Sequence, residues 1–171
     1  MLRLSSSLLN RPVMSLRTGS QIGLAETPII NPHNLKILGW WCNTPDGRQV
    51  LLAEELRQSV PEGLAVNDEA ALSDPADLVR HQEVLDINFE LMDKPVRTKR
   101  QRLGRVSDYS YNDGMFVQKL YVARPLRKVF SAEDTLIIDR EQIIEVTDKY
   151  ILVRDTEVKA TSEELAGAVA A

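Results

Sequence analysis

Two parts of this chain repeat each other, and the repeat limits the folds available to it. Residues 10–13 (NRPV) match residues 93–96 (DKPV) at an offset of 83, and Ile22 with Gly23 match Leu103 with Gly104 at an offset of 81. Farther along, VLLAEELRQSV matches IIDREQIIEV at offsets of 87 and then 86. The offset changes only where turns are expected, which is typical of tandem modules with loop insertions. The sequence therefore predicts two related units in tandem.

The residues within each unit favour strands over helices. In the second unit, VSDYSYNDGMFVQKLYV holds two β-rich runs on either side of Asn112, Asp113 and Gly114. Asn or Asp followed by Gly supplies the positive φ of a tight hairpin turn. The first unit has the longer turn IINPHN in its hairpin, and one short helical turn, AEELRQ or DREQII, precedes the last strand of each unit. These short strands predict a mainly β fold of two small, strongly curved sheets or barrels.

A helix is predicted between the two units. Ser73 or Asp74 is a suitable N-cap, Pro75 suits the first helical turn, and apolar residues recur on one side, so we expect a connecting helix from about Pro75 to Asp86. The predicted domains are a first barrel at 1–74, the connecting helix at 75–90, a second barrel at 91–158 and a short flexible or helical C-terminal tail at 159–171.

Composition and motifs argue against several classes of function. The 171-residue chain has no apolar run near the roughly 20 residues that a membrane helix needs. Serines and then Asn10 interrupt the apolar start, so we expect a cytoplasmic protein without a signal peptide. The single cysteine, Cys42, excludes an internal disulfide, and neither His33 nor His81 has a ligand partner at metal spacing. Because GxSxG, P-loop and GxGxxG motifs are absent, we predict no enzymatic activity, metal or cofactor.

The second unit carries a recognisable series of motifs: KPV, then LGRVSDY and MFVQKLYV, then LIIDREQIIEVTDKYILV. With these motifs, residues 5–155 resemble bacterial proteins with two PRC-barrel domains. That barrel is named after the photosynthetic reaction-centre H subunit, and a related one forms the C-terminal half of the ribosome maturation factor RimM. The family pattern Gly, any, Val, any, Asp is met by Gly104, Val106 and Asp108, whereas Thr27 stands at the acidic position of the first unit. The resemblance implies two tandem PRC-type β-barrels that serve as an interaction platform, without catalytic residues.

Cations are concentrated at the start of the second unit. Six of the twelve positions from Lys94 to Arg105 are Lys or Arg, and residues 94–128 have a net charge of +8 in a chain of net charge -4. The candidate partner-binding cations are Lys94, Arg97, Lys99, Arg100, Arg102, Arg105, Arg124, Arg127 and Lys128. Three interpretations are open: an acidic face of another protein, RNA phosphates with Tyr109, Tyr111 and Tyr121 as stacking faces, or the charged outer side of a hairpin.

Trp40 and Trp41 are the remaining candidates for partner binding. Adjacent residues of a strand point to opposite faces, so one of the two indoles points away from its own core. That indole either packs between the barrels or contacts a partner. We therefore predict a non-enzymatic adaptor that binds another protein. The alternative is an RNA-associated accessory factor in ribosome maturation or RNA processing, and a homodimer is a further alternative.

Overall fold

A computed structural model describes residues 1–124 and 135–155 of the chain. Within these residues the fold is mainly β, as predicted. The predicted tail at 159–171 lies outside them. The strands are β1 (Arg3–Leu4), β2 (Arg11–Ser15), β3 (Gln21–Asn31), β4 (Lys36–Thr44), β5 (Gly47–Leu52), β6 (Gln58–Val60), β7 (Gly63–Val66), β8 (Leu72–Ser73), β9 (Pro95–Arg97), β10 (Arg102–Tyr111), β11 (Val117–Ala123), β12 (Thr135–Asp139), β13 (Ile143–Val146) and β14 (Ile151–Val153).

The described chain divides into two compact units. The first unit consists of Ser6–Asn31 and Lys36–Phe89, and the second unit consists of Met1–Ser5, Pro32–Leu35 and the described residues from Glu90 onward. Met1–Ser5 belongs to the second unit because β1 pairs with β10 in an antiparallel register. Pro32–Leu35 belongs there too, since the amide of Val117 donates a hydrogen bond to the carbonyl of Leu35 at 3.0 Å.

Each unit is built on one curled, half-barrel sheet, and six strands follow the same order in both sheets. The first sheet runs β6-β7-β2-β3-β4-β5-β8, and the second runs β13-β14-β9-β10-β11-β12, with β1 added on β10. In both sheets a late strand pairs in parallel with the strand at which the sequence repeat begins, β7 with β2 and β14 with β9. The repeat in the sequence is therefore a repeat of strand order.

A residue register common to both sheets places a β-bulge near the start of the second long strand. Val13 pairs with Gly23 and Met14 with Gln21, while Val96 pairs with Gly104 and Arg97 with Arg102. Between these two pairs, β3 and β10 each advance by two residues while their partners advance by one. One extra residue on one strand of a pair is the definition of a bulge. The matched glycines of the sequence repeat therefore occupy matched bulges.

The core of each unit consists of the inward side chains of its strands. Buried apolar residues include Val13, Ala25, Ile37, Trp40 and Val50 in the first unit and Val96, Val106, Leu120, Ile138 and Ile151 in the second. Trp40 is 2% exposed, and its indole Nε1 donates to the carbonyl of Leu8 at 3.0 Å. A buried indole N–H needs such a partner, because leaving it unpaired is destabilising.

The predicted connecting helix is shorter than expected. Instead of one helix from Pro75 to Asp86, the chain forms 3-10 turns at Pro75–Asp77 and Val79–His81 and then α1 at Gln82–Ile87. Asp74 caps the first turn as predicted, since its Oδ1 accepts from the amide of Ala76 at 2.8 Å. The backbone leaves the helical region at Leu78 (φ −88°, ψ 58°), where the side chain packs against a cluster on the first sheet. Tertiary packing thus prevails over the local helical pattern.

The hairpin predicted at Asn112–Gly114 is present between β10 and β11, but its turn differs from the predicted one. Asn112 Oδ1 accepts from the amide of Phe116 at 3.0 Å, and Met115 carries the positive φ of 63°. The Asn112 side chain thus stabilises a turn longer than a two-residue Asn-Gly turn.

Among the described residues, no helix is long and apolar enough to cross a membrane.

Candidate functional site

Four of the predicted cations line one groove in the second unit. The groove has a volume of about 680 Å³, and its basic side chains are Arg97, Arg102, Arg105, Arg124 and Lys149. Its lining also includes Pro95, Val96, Gly104, Ala123 and the ring-bearing Tyr150, while Asp93 is the acidic residue among those described. A groove with an apolar floor and five cations is suited to a ligand that is anionic and makes contact with the floor.

The β-bulge at Gly104 places the arginines of β10 on one face. Residues three apart on a regular strand point to opposite faces, yet Arg102 and Arg105 are both exposed while Leu103 and Val106 are both buried. The β-bulge between Arg102 and Gly104 accounts for this. It adds one residue to β10, so the side chains after the bulge point to the face opposite to the one that regular alternation would give. Gly104 has a φ of 152°, and a Cβ there would collide with the carbonyl oxygen of Ala123. Glycine is therefore required at this bulge.

Arg97 and Arg102 lie directly opposite each other on β9 and β10. The Arg97 guanidinium lies over the ring of Tyr150 at 5.4 Å from its centroid, and Arg97 Nε donates to the carbonyl of Thr98 at 3.3 Å. Like charges directly opposite each other in a sheet are destabilising, where favourable pairs contribute roughly 0.2–1 kcal/mol. The two guanidinium groups therefore repel each other, and a bound anion would relieve this repulsion.

Three cations of the basic stretch, including Arg105 of the groove, have partners within the second unit. Lys94 Nζ donates to the carbonyl of Asp148 at 2.7 Å, and Arg100 Nε lies 3.3 Å from Asp155 Oδ2. Arg105 Nη1 donates to the carbonyl of Asp93 at 2.8 Å and lies 3.4 Å from its Oδ2. Lys99 is exposed but is not part of the groove lining. Arg127 and Lys128 lie outside the described residues. Of the predicted cations that the structure describes, four line the groove, Lys94 and Arg100 bond elsewhere in the second unit, and Lys99 is exposed.

The equivalent surface of the first unit lacks this charge. The register places Met14 where the second unit has Arg97, Gln21 where it has Arg102, and Leu24 where it has Arg105. Leu64 and Ile151 occupy matched positions in the parallel pairs, and two residues before them the first unit has Glu62 where the second has Lys149. Since the same strand order forms without these cations, the fold itself does not require them. The cations are therefore a feature of the second unit and not of the shared fold.

Lys149 and Tyr150 belong to the groove but were not among the predicted site residues. They lie far from the basic stretch in the sequence, and the parallel pairing of β14 with β9 brings their turn beside Val96 and Arg97. The sequence offered only an indirect indication of these two residues: the turn TDK, which precedes the last strand of the second unit as the turn PEG does in the first. Pairing between distant strands is not readable from local periodicity, which explains the omission.

The tyrosines and tryptophans that were predicted to contact a partner lie outside the groove. Tyr109, Tyr111 and Tyr121 are at most 4% exposed, so they offer no stacking face, and burial raises the pKa of the Tyr109 hydroxyl. Trp40 lies in the core, as described above. Trp41 is half-buried, packs against the cluster formed by Ile29, Val50, Leu52, Val84 and Leu85, and has the guanidinium of Arg48 at 4.0 Å from its ring centroid. Trp40 is therefore enclosed in the core of its own unit, while Trp41 keeps a partly exposed indole.

The other chemically distinctive residues offer no reactive arrangement. Cys42 is fully buried, and desolvation by burial raises the pKa of its thiol to about 12, so the nucleophilic thiolate is strongly disfavoured. Among residues 1–124 and 135–155, no group of three or more His, Cys, Asp or Glu side chains is arranged to hold a metal ion. A smaller depression of about 450 Å³ includes His33 and Arg140. Arg140 donates there to the carbonyls of Asn34 and Val117.

Comparison with known proteins yields no assignment for this architecture. No known protein family matches the chain, and no curated protein matches it. The function is therefore argued from the groove.

Proposed function

We propose that this protein is a non-enzymatic interaction module whose basic groove binds an acidic segment of a partner protein. The observation that carries the proposal is a groove lined by five cations and one acidic residue, where the equivalent residues of the first unit are neutral or acidic. Arginine is favoured at such sites because its planar guanidinium binds carboxylates through paired hydrogen bonds and also stacks on aromatic rings.

The groove favours a short protein segment over a nucleic acid. Binding of single-stranded nucleic acid relies on open aromatic faces for base stacking and on a continuous basic track along the backbone. Here the ring of Tyr150 is covered by Arg97, the three tyrosines of β10 and β11 are buried, and Lys94 and Arg100 have partners outside the groove. These features support a local contact with carboxylates.

The same proposal includes the family. We assign the two sheets to tandem PRC-type barrels of a bacterial, cytoplasmic adaptor, with the segment around α1 as their connection. The shared strand order, the parallel pairs β2–β7 and β9–β14, and the matched bulges support this assignment. Under this proposal the first unit, whose equivalent surface lacks the cations, supplies structure, and the second unit supplies the anion contact.

The test is peptide binding by a pair of charge-matched variants. Arg102→Gln installs the residue of the first unit at the equivalent position, and Lys99→Gln removes the same charge from the same basic stretch but outside the groove. With a fluorescein-labelled, glutamate-rich peptide, anisotropy should show binding at least about tenfold weaker for Arg102→Gln, since a hydrogen bond to a charged group contributes about 1.5–3 kcal/mol. Lys99→Gln should change affinity by less than about fivefold, since exposed ion pairs contribute about 0–1 kcal/mol.

Equal losses in both variants would contradict the groove and indicate attraction by the overall charge of the stretch. A labelled single-stranded RNA, titrated in parallel, tests the rival function. RNA binding that is tighter than peptide binding and falls log-linearly with salt would replace the proposal with the RNA-associated factor.

A further inference from the structure

The Arg97–Arg102 pair is a local feature that generic attraction to carboxylates does not explain. Because the two residues are directly opposite in an antiparallel pair, their Cβ atoms are expected about 5 Å apart on the exposed face. Among the described residues, neither guanidinium forms an ion pair with a carboxylate, although Arg100 and Arg105 in the same stretch do. Two neighbouring guanidinium groups in the groove lining are thus not neutralised by a carboxylate of the described residues.

The remaining groove contacts position this pair. The ring of Tyr150 and the carbonyl of Thr98 hold Arg97, while Val96 and Gly104 form the next cross-strand pair beside it. Lys149, in the turn before β14, adds a further positive charge to the same lining. A side chain held by stacking loses less conformational freedom when it binds, so Arg97 is preorganised for an anion.

We propose that the Arg97–Arg102 pair is a seat for a phosphorylated side chain within the acidic segment that the proposed function assigns to this groove, and the inference rests on that function. A phosphate monoester carries close to two negative charges at neutral pH and three acceptor oxygens, so one group can accept from both guanidinium forks. A carboxylate has one charge and two oxygens. A backbone phosphodiester also has one charge, which disfavours RNA at this seat.

The consequence is regulation of the interaction. A partner segment with only carboxylates binds the groove through those carboxylates, and phosphorylation of one Ser or Thr in that segment strengthens the complex. This makes the groove a reader of the partner's modification state. The chain itself undergoes no chemical change.

The experiment compares three labelled peptides of one sequence, flanked by glutamates, with phosphoserine, glutamate or serine at the centre. Anisotropy is measured with the full chain in phosphate-free buffer. The phosphoserine peptide is expected to bind about tenfold more tightly than the glutamate peptide. Arg97→Lys and Arg102→Lys retain the charge but not the fork. Both peptides lose the paired hydrogen bonds of the fork in these variants, so the readout is the ratio of the two affinities, and each variant should reduce the phosphoserine advantage to about twofold or less.

The outcomes separate this inference from the proposed function. If phosphoserine and glutamate peptides bind equally, and Arg102→Gln weakens both, the phosphate seat is wrong and the acidic-segment groove stands. If the lysine variants keep the full phosphoserine advantage, Arg97 and Arg102 are not the seat. If none of the three peptides binds the correctly folded chain, both the inference and the proposed function are wrong.

Discussion

Gly104 determines which side chains reach the groove. Its φ of 152° is unfavourable for residues with a Cβ, and the close approach of the Ala123 carbonyl leaves no space for one. Its counterpart Gly23 has no positive φ, although a Cβ there would lie 3.2 Å from the carbonyl oxygen of Asn43. The bulge of the second unit is therefore the more tightly constrained of the two.

Substitution Gly104→Ala should destabilise the protein more than Gly47→Ala. Gly47 also has a positive φ, 110°, but a Cβ there meets nothing within 4 Å. Gly47→Ala thus measures backbone strain alone, about 1–3 kcal/mol, whereas Gly104→Ala adds a steric collision with backbone. The check is the free energy of unfolding from urea denaturation. Equal losses in the two variants would contradict the collision and the constrained bulge.

The sequence identified most groove cations but not their common direction. Strand alternation alone places Arg102 and Arg105 on opposite faces, and only the bulge reverses this. Bulges depend on pairing with a partner strand, so a local pattern does not reveal them. The tyrosines were assigned to a surface in the RNA alternative for a similar reason, since periodicity gives two faces without saying which one is buried.

At the scale of elements, α1 depends on tertiary contacts. A six-residue helix is too short to be stable in water, because helix nucleation is unfavourable. Val84 and Leu85 are buried against Ile29, Val50 and Leu52 in the first unit. The apolar pattern of the segment was readable from the sequence, but the interruption at Leu78 was not, since it follows from packing rather than from propensity.

Leu85→Ala should therefore destabilise the first unit by about 2–5 kcal/mol, the usual range for a leucine truncated in a packed core. Ile87→Ala is the control from the same helix, because Ile87 is 39% exposed and Leu85 is 6% exposed. Ile87→Ala should lose less than about 1 kcal/mol, in keeping with surface substitutions. Chemical denaturation of both variants provides the comparison. A larger loss for Ile87→Ala would mean that α1 packs through its other face.

At the scale of the whole molecule, the two units share a fold but differ in surface chemistry. The nearly constant spacing of the sequence repeat and the matched motifs were sufficient to predict two related, mainly β units, because the order of the strands follows the repeat. Met14, Gln21 and Leu24 on one side, and Arg97, Arg102 and Arg105 on the other, occupy equivalent register positions. A duplicated module in which only one copy carries the charge is well suited to dividing structural and binding roles.

Titration of the isotope-labelled chain with the glutamate-rich peptide, followed by NMR of backbone amides and arginine side chains, tests whether the groove of the second unit is the anion site. We expect saturable shifts at Arg97, Arg102, Gly104 and Tyr150, with Met14 and Gln21 unchanged. Saturable shifts centred on the first unit, or no shifts at Arg97 and Arg102 when the peptide is bound, would contradict the groove as the functional site.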